Sequence, residues 1–331
     1  MKLVTYMIEE ETRVGAVQGE NIIDICAAFE LAADQDVGQR WMRETYQGGK
    51  MDETEELELA EGVEPVDMIE LLEVDLGSDS LGTVDRVTRW ALTQIDSTEF
   101  PENLLVPLAS TRLLAPIERP GKITCIGLNY ADHAREQGIE PPASPIFFVK
   151  TANTICGPGD PIVLPPNSTQ VDYEAEFAVV IGKGGKNIPE ERAMEHVAGY
   201  MILNDVSARD MQFGDKQWYR GKSCDTFAPC GPWIVTKDEV PDPHNVRISL
   251  TLNGQTMQDS NTSNLVFKVP YLISYLSQSV TWEPGDIIST GTPPGVGVFR
   301  KPPVFLRAGD TVSVTVERLG TLTNPVVGSK Q

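Results

Sequence analysis

Val171-Asp-Tyr-Glu-Ala-Glu-Phe-Ala-Val-Val-Ile-Gly182 reads as a β-strand running into a turn. Side chains alternate faces along a strand, so Glu174 and Glu176 point the same way. Tyr173, Ala175, Phe177 and Val179 take the opposite face and are expected to fill a core. Two carboxylates side by side repel unless water or a cation separates them. Some thirty residues on, Met201-Ile-Leu-Asn-Asp205 reads as another strand ending at a carboxylate. Three carboxylates, with waters and substrate completing an octahedron, describe a hard-cation site for Mg²⁺ or Mn²⁺. Zinc is disfavoured, because the three histidines are far apart and no cysteine pair has zinc-knuckle spacing. Spacing alone leaves a second reading open: a solvated strand face for the two glutamates, and an N-cap role for Asp205 on a helix over 206–212.

Away from this stretch the texture divides in two. Leu3–Met7, Arg13–Val17 and Asn21–Asp24 read as short strands and Ile25–Asp34 as a helix. Between Lys50 and Arg86 there are 13 acidic residues and no basic one. Helical spacing appears within it from Asp67 and again over Val84–Ile95, as solvated helical surfaces. The run Leu114-Ala-Pro-Ile-Glu-Arg-Pro-Gly121 interrupts regular structure and reads as a linker. Beyond it, β-rich segments (Ile123–Gly127, Phe177–Ile181, Ile248–Leu252, Asp286–Ser289, Thr311–Glu317) alternate with Gly- and Pro-rich turns, and Glu190–His196 and Val269–Ser277 read as helices. The expected architecture is α+β: a small α+β N-terminal domain over 1–115 and a mostly β domain over 116–331.

Composition narrows the partners. Of 331 residues, 40% are apolar and 23% charged, which suits a globular chain, and no apolar run is long enough to span a bilayer. A net charge of −21 disfavours nucleic acid and anionic membranes as partners. No leader peptide is visible, and five scattered cysteines do not form a disulfide framework. A cytoplasmic location is expected.

Asn129-Tyr-Ala-Asp-His-Ala-Arg-Glu-Gln-Gly138 reads as a short helix closed by glycine. His133 and Glu136 share a face there, as an acid–base pair or as a surface salt link. The Gly291–Gly297 loop lacks the Gly-Lys-Ser/Thr ending of a phosphate cradle.

Four stretches occur in order: Asp172-Tyr-Glu-Ala-Glu-Phe-Ala-Val-Val-Ile-Gly182, Asn204-Asp-Val-Ser-Ala-Arg-Asp210, Gly221-Lys-Ser-Cys-Asp-Thr-Phe227 and Thr290-Gly-Thr-Pro-Pro-Gly-Val-Gly297. Together, from about Pro116 to Val326, they resemble the fumarylacetoacetate hydrolase family. The stretch Gly295–Leu306 is most similar to the branch of fumarylacetoacetate hydrolase domain-containing protein 2 and the YisK-type enzymes. The resemblance implies a mixed β-sandwich or roll, and Mg²⁺ or Mn²⁺ on Glu174, Glu176 and Asp205. It implies that His133 and Glu136 activate water on a helix that acts as a lid, and that Lys222 stabilises an enolate or alkoxide oxygen near the metal. Arg209, Gln212 and Thr292 are expected to bind the substrate carboxylate, and the chain to form a homodimer through its C-terminal domain. The implied activity is C–C bond hydrolysis of a small 2-oxo (acylpyruvate or β-diketo) acid. The alternative is oxaloacetate keto–enol tautomerisation or decarboxylation at the same site. Leu128 stands where some acylpyruvate-cleaving relatives carry a basic residue, which favours the oxaloacetate branch. A non-catalytic binding module is the remaining reading.

Overall fold

The computed structural model describes residues 1–34, 67–73, 80–94 and 103–329. Two compact units result, Met1–Leu113 and Leu114–Gln331.

In the first unit, Lys2–Ile8, Glu11–Gln18 and Asn21–Asp24 form an antiparallel meander. Glu9 and Glu10 turn the first hairpin, both at positive φ, as a two-residue turn that follows the strand twist requires. Leu105–Pro107 pairs with Asn21–Ile23, and Arg112–Leu113 with Tyr6–Met7. Asp24 starts the helix Ile25–Asp34 by accepting the Ala27 N–H at 2.8 Å. Ala27, Ala28 and Leu31 of that helix pack on Val87 and Ala91 of a second helix, Ser80–Leu92. The helix expected from Asp67 spans Met68–Glu73. Val74, Ile95 and most of the acidic run lie outside the described residues.

The second unit is mostly strand. One sheet runs Ala228–Thr236, Val197–Asn204, Ala175–Ile181, Ile287–Ser289, Ile123–Gly127, Ile146–Lys150. A second runs Gln255–Asn261, Arg247–Leu252, Thr311–Val316, Gly320–Gly328, Ile162–Leu164. Phe177, Val179, Tyr200 and Ile202 of the first share one core with Ile248, Leu250, Val312 and Val314 of the second. Each such side chain contributes about 1.5–3 kcal/mol by leaving water. Glu190–His196 is a 3₁₀ turn and Val269–Ser277 an α-helix. Among the described residues no helix is long and apolar enough to cross a membrane.

Tyr173, Ala175, Phe177 and Val179 face this core as their alternation predicts. The strand itself breaks at Tyr173 and Glu174. Val171–Asp172 pairs with Ser207–Ala208, whereas Ala175–Ile181 pairs with Val197–Asn204. Side chains fill the gap: Glu174 N–H donates to Asn204 Oδ1 at 3.0 Å, and Ala175 N–H to Gln258 Oε1 at 2.9 Å.

Candidate active site

Glu174 sits in that break, Glu176 one pleat further on, and Asp205 just past the end of the neighbouring strand. The Asp205 N–H donates to Glu174 O at 2.9 Å, which sets the two residues beside each other. One oxygen from each of the three carboxylates lies within 4.8 Å of the others, and all three residues are buried. A solvated strand face is therefore ruled out. So is the N-cap role for Asp205: the helix starts later, at Arg209, and Ala208 precedes it with no side-chain cap.

Three buried cations surround the cluster. Lys222 Nζ donates to Glu174 Oε2 at 2.7 Å and to Asp205 Oδ2 at 2.6 Å. Lys150 Nζ, at the end of Ile146–Lys150, donates to Asp205 Oδ1 at 2.6 Å and Val206 O at 3.1 Å. Arg209 donates to Glu174 Oε1 at 2.7 Å, Asp172 Oδ2 at 2.9 Å and Gln212 Oε1 at 2.9 Å. Glu176 differs: Ser289 Oγ and the Gly291 N–H at 3.0 Å donate to it, and among the described residues no lysine or arginine hydrogen-bonds it.

Electrostatics follow from these partners. Burial would raise the Glu174 carboxyl, but Lys222 and Arg209 outweigh it and hold it well below the usual range. Burial, reinforced by the charges of Asp205 and Glu174, pushes Glu176 well above that range. Burial would lower the Lys222 ammonium, but Asp205 and Glu174 overcome it and its pKa is raised. With all four carboxylates ionised, Asp172, Glu174, Glu176 and Asp205 outnumber Lys150, Lys222 and Arg209 by one negative charge, and a cation beside Glu176 would favour its ionised form. Buried, hard oxygen donors with a surplus of negative charge suit a divalent cation.

The helix Ala131–Glu136 brings His133 Nδ1 to 3.0 Å from Glu136 Oε2. His133 is buried while Glu136 is exposed, and Glu136 Oε1 also accepts the Gly295 N–H at 3.0 Å. Gln137 Nε2 lies 2.9 Å from His133 Nε2. Asn129 anchors the start of this helix by donating to Thr290 O at 2.8 Å, next to the Gly291 N–H on Glu176. Thr292 donates to Ala175 O at 3.0 Å and accepts from Gln258 Nε2 at 2.9 Å.

Eight of the nine expected site residues are buried and the ninth, Glu136, is exposed; all nine stand in hydrogen-bonded groups. Arg209, Gln212 and Thr292, expected to bind substrate, hydrogen-bond to Glu174, Asp172, Ala175 and Gln258 and to one another. Lys150, Asp172, Gln137 and Ser289 were not anticipated. A lysine closing the apolar run Ile146-Phe-Phe-Val and an aspartate two residues before Glu174 were the available signals.

The model of the fumarylacetoacetate (FAA) hydrolase C-terminal domain matches residues 122–327. The chain belongs to the fumarylacetoacetate hydrolase family. It is 52% identical over 265 residues, 80% of each chain, to the bovine (Bos taurus) protein named oxaloacetate tautomerase FAHD2A, mitochondrial. Fumarylacetoacetate hydrolase from psychrophilic Exiguobacterium antarcticum superposes with a TM-score of 0.75 at 31% identity, covering 99% of this chain and 100% of that one. Maleylpyruvate hydrolase from Sphingobium sp. SYK-6, solved with manganese(II) ion and pyruvate, gives a TM-score of 0.72 at 29% identity over 100% of both chains. The mixed, mostly β fold expected from the sequence is the one these neighbours share.

The bovine relative is by name mitochondrial, and this overturns the cytoplasmic expectation.

Proposed function

We propose that the chain interconverts the keto and enol forms of oxaloacetate, with Mg²⁺ or Mn²⁺ held by Glu174, Glu176 and Asp205. Kinship carries this reading: 52% identity over 80% of the chain to a protein named oxaloacetate tautomerase. The buried carboxylate cluster supports it, because the reaction builds charge on a single oxygen. Tautomerisation moves one proton between C3 and the C2 oxygen and breaks no bond between heavy atoms. A bound divalent cation would supply positive charge for the enolate oxygen. Lys222, held between Glu174 and Asp205, adds a fixed ammonium in the same low-dielectric setting. His133 moves the proton at C3 in this reading, with Glu136 fixing the tautomer through Nδ1. Arg209 and Gln212 act by holding the Glu174 wall, and Thr292 by holding Ala175.

A second reading, hydrolysis of an acylpyruvate C–C bond, is favoured by one observation. Glu136 is held on both oxygens, by Gly295 and His133, as a water-activating pair requires. Purified chain is mixed with enol-oxaloacetate and, separately, acetylpyruvate, each with Mg²⁺ or Mn²⁺. Faster decay of the enol absorbance with acetylpyruvate untouched supports tautomerisation. Loss of the diketo absorbance with unaltered enol decay overturns it in favour of hydrolysis.

The same reading includes a homodimer. Ile146, Phe147 and Val149 are exposed on the last strand of the first sheet, and Phe213 and Tyr219 are exposed on the short helices Arg209–Gly214 and Tyr219–Lys222. An apolar edge strand of this kind is ordinarily covered.

A further inference from the structure

Asp172 is fully buried, and its carboxylate gathers donors from two directions. Oδ1 accepts the N–H of Tyr173 at 2.9 Å and of Gly297 at 2.7 Å; Oδ2 accepts the N–H of Val298 at 3.0 Å and Arg209 Nε at 2.9 Å. In one direction Arg209 carries the connection on to Glu174 Oε1 at 2.7 Å. In the other, the loop continues through Gly295, whose N–H reaches Glu136 Oε1 at 3.0 Å, and Glu136 Oε2 holds His133. Phe299, next along, sets its ring 5.9 Å from that of His133. The loop comes so close to Asp172 that a Cβ on Gly297 would stand 2.6 Å from Oδ1 and 1.8 Å from Val304 O.

We infer that Asp172 is a positioning residue that fixes the carboxylate cluster relative to the His133–Glu136 pair. The inference rests on the reading of those two groups as the reacting ones. Only an ionised carboxylate accepts on both oxygens. An asparagine must turn its NH₂ toward either Arg209 or the loop, where it faces further donors and releases one side. Ångström-scale release on either side separates groups that act together on one substrate.

The test uses Asp172→Asn in the full-length chain with Mg²⁺ present. The chain has three histidines, so ring ¹H–¹⁵N spectra isolate His133 once His133→Gln has assigned it. The His133 ring signals are expected to move while those of His196 and His244 stay. For enol-oxaloacetate, kcat is expected to fall about 10- to 100-fold with KM changed less than about threefold. The double variant with Glu136→Gln is expected to be no slower than Glu136→Gln alone, as for residues acting in series. An unmoved His133 ring in a folded variant, or additive losses in the double variant, overturns the inference. If the wild type does not turn over oxaloacetate, the functional reading fails and the ring spectra decide the positioning role alone. If Asp172→Asn does not reach the wild-type circular dichroism, Asp172→Glu, which keeps the charge on a longer arm, is read the same way.

Discussion

Replacing Lys150 with methionine removes a buried ammonium but keeps much of its volume. The variant loses the 2.6 Å bond to Asp205 Oδ1 and the 3.1 Å bond to Val206 O. Stripping one partner from a buried ion pair costs about 3–5 kcal/mol. The low end applies, because Lys222 still holds Asp205 Oδ2 at 2.6 Å. For a domain of this size, about 3 kcal/mol lowers Tm by about 6–12 °C. With Asp172, Glu174, Glu176 and Asp205 all ionised, their excess over the remaining cations goes from one negative charge to two, which a divalent cation neutralises in full. Tenfold tighter Mn²⁺ binding would return about 1.4 kcal/mol at saturation, or about 3–5 °C. Calorimetric scans in EDTA and in Mn²⁺, with a Mn²⁺ titration of each protein, read both quantities. A Lys150→Met protein that melts like the wild type in EDTA, or gains no more from Mn²⁺ than the wild type does, refutes the reasoning.

Glu176→Gln is expected to abolish metal-dependent enol decay and to weaken Mn²⁺ binding by at least about tenfold, measured by titration calorimetry; unaltered Mn²⁺ affinity would remove Glu176 from the ligand set. His133→Ala is expected to slow turnover by about 10²–10⁴-fold and leave Mn²⁺ affinity nearly unchanged; lost affinity would make His133 a ligand instead. Gly297→Ala forces a Cβ against Val304 O at 1.8 Å, and loss of at least about 2 kcal/mol in urea unfolding is expected. Light scattering is expected to report a dimer for the wild type and a monomer for Phe147→Glu, since the ring is exposed on the edge strand; a monomeric wild type contradicts the homodimer.

The strands were legible where alternation or apolar runs are strong. Ile123–Gly127 and Val269–Ser277 appear with the bounds read from the sequence. The orientation of Glu174 and Glu176 followed from period two, and the His133–Glu136 bond from helical spacing. The break at Glu174 was not legible, because its cause is tertiary: Gln258, on a strand of the other sheet, takes the Ala175 N–H. Nor could Lys150 be placed, since its contact with Asp205 spans 55 residues and no local pattern encodes it. Asp172 has the same difficulty, with Gly297 lying 125 residues away. The partners of Arg209 were equally out of reach, because a sequence shows its donors but not that Asp172 and Glu174, 37 and 35 residues away, accept from them.

The parallel pairing of Ile123–Gly127 with Ile287–Ser289 also governs the order of assembly during synthesis. Glu174, Glu176 and Asp205 leave the ribosome well before Ser289 and Gly291, which are the groups that donate to Glu176. Until then Ile123–Gly127 lacks one neighbour, and Asn129 waits for Thr290, 161 residues downstream. A nascent chain ending before Ile287 therefore carries an open strand edge and an unclaimed acidic side chain. A chain cut before Ile287 would keep that edge open to wrong pairing, so truncation from the C-terminus reaches the site as well as the sheet.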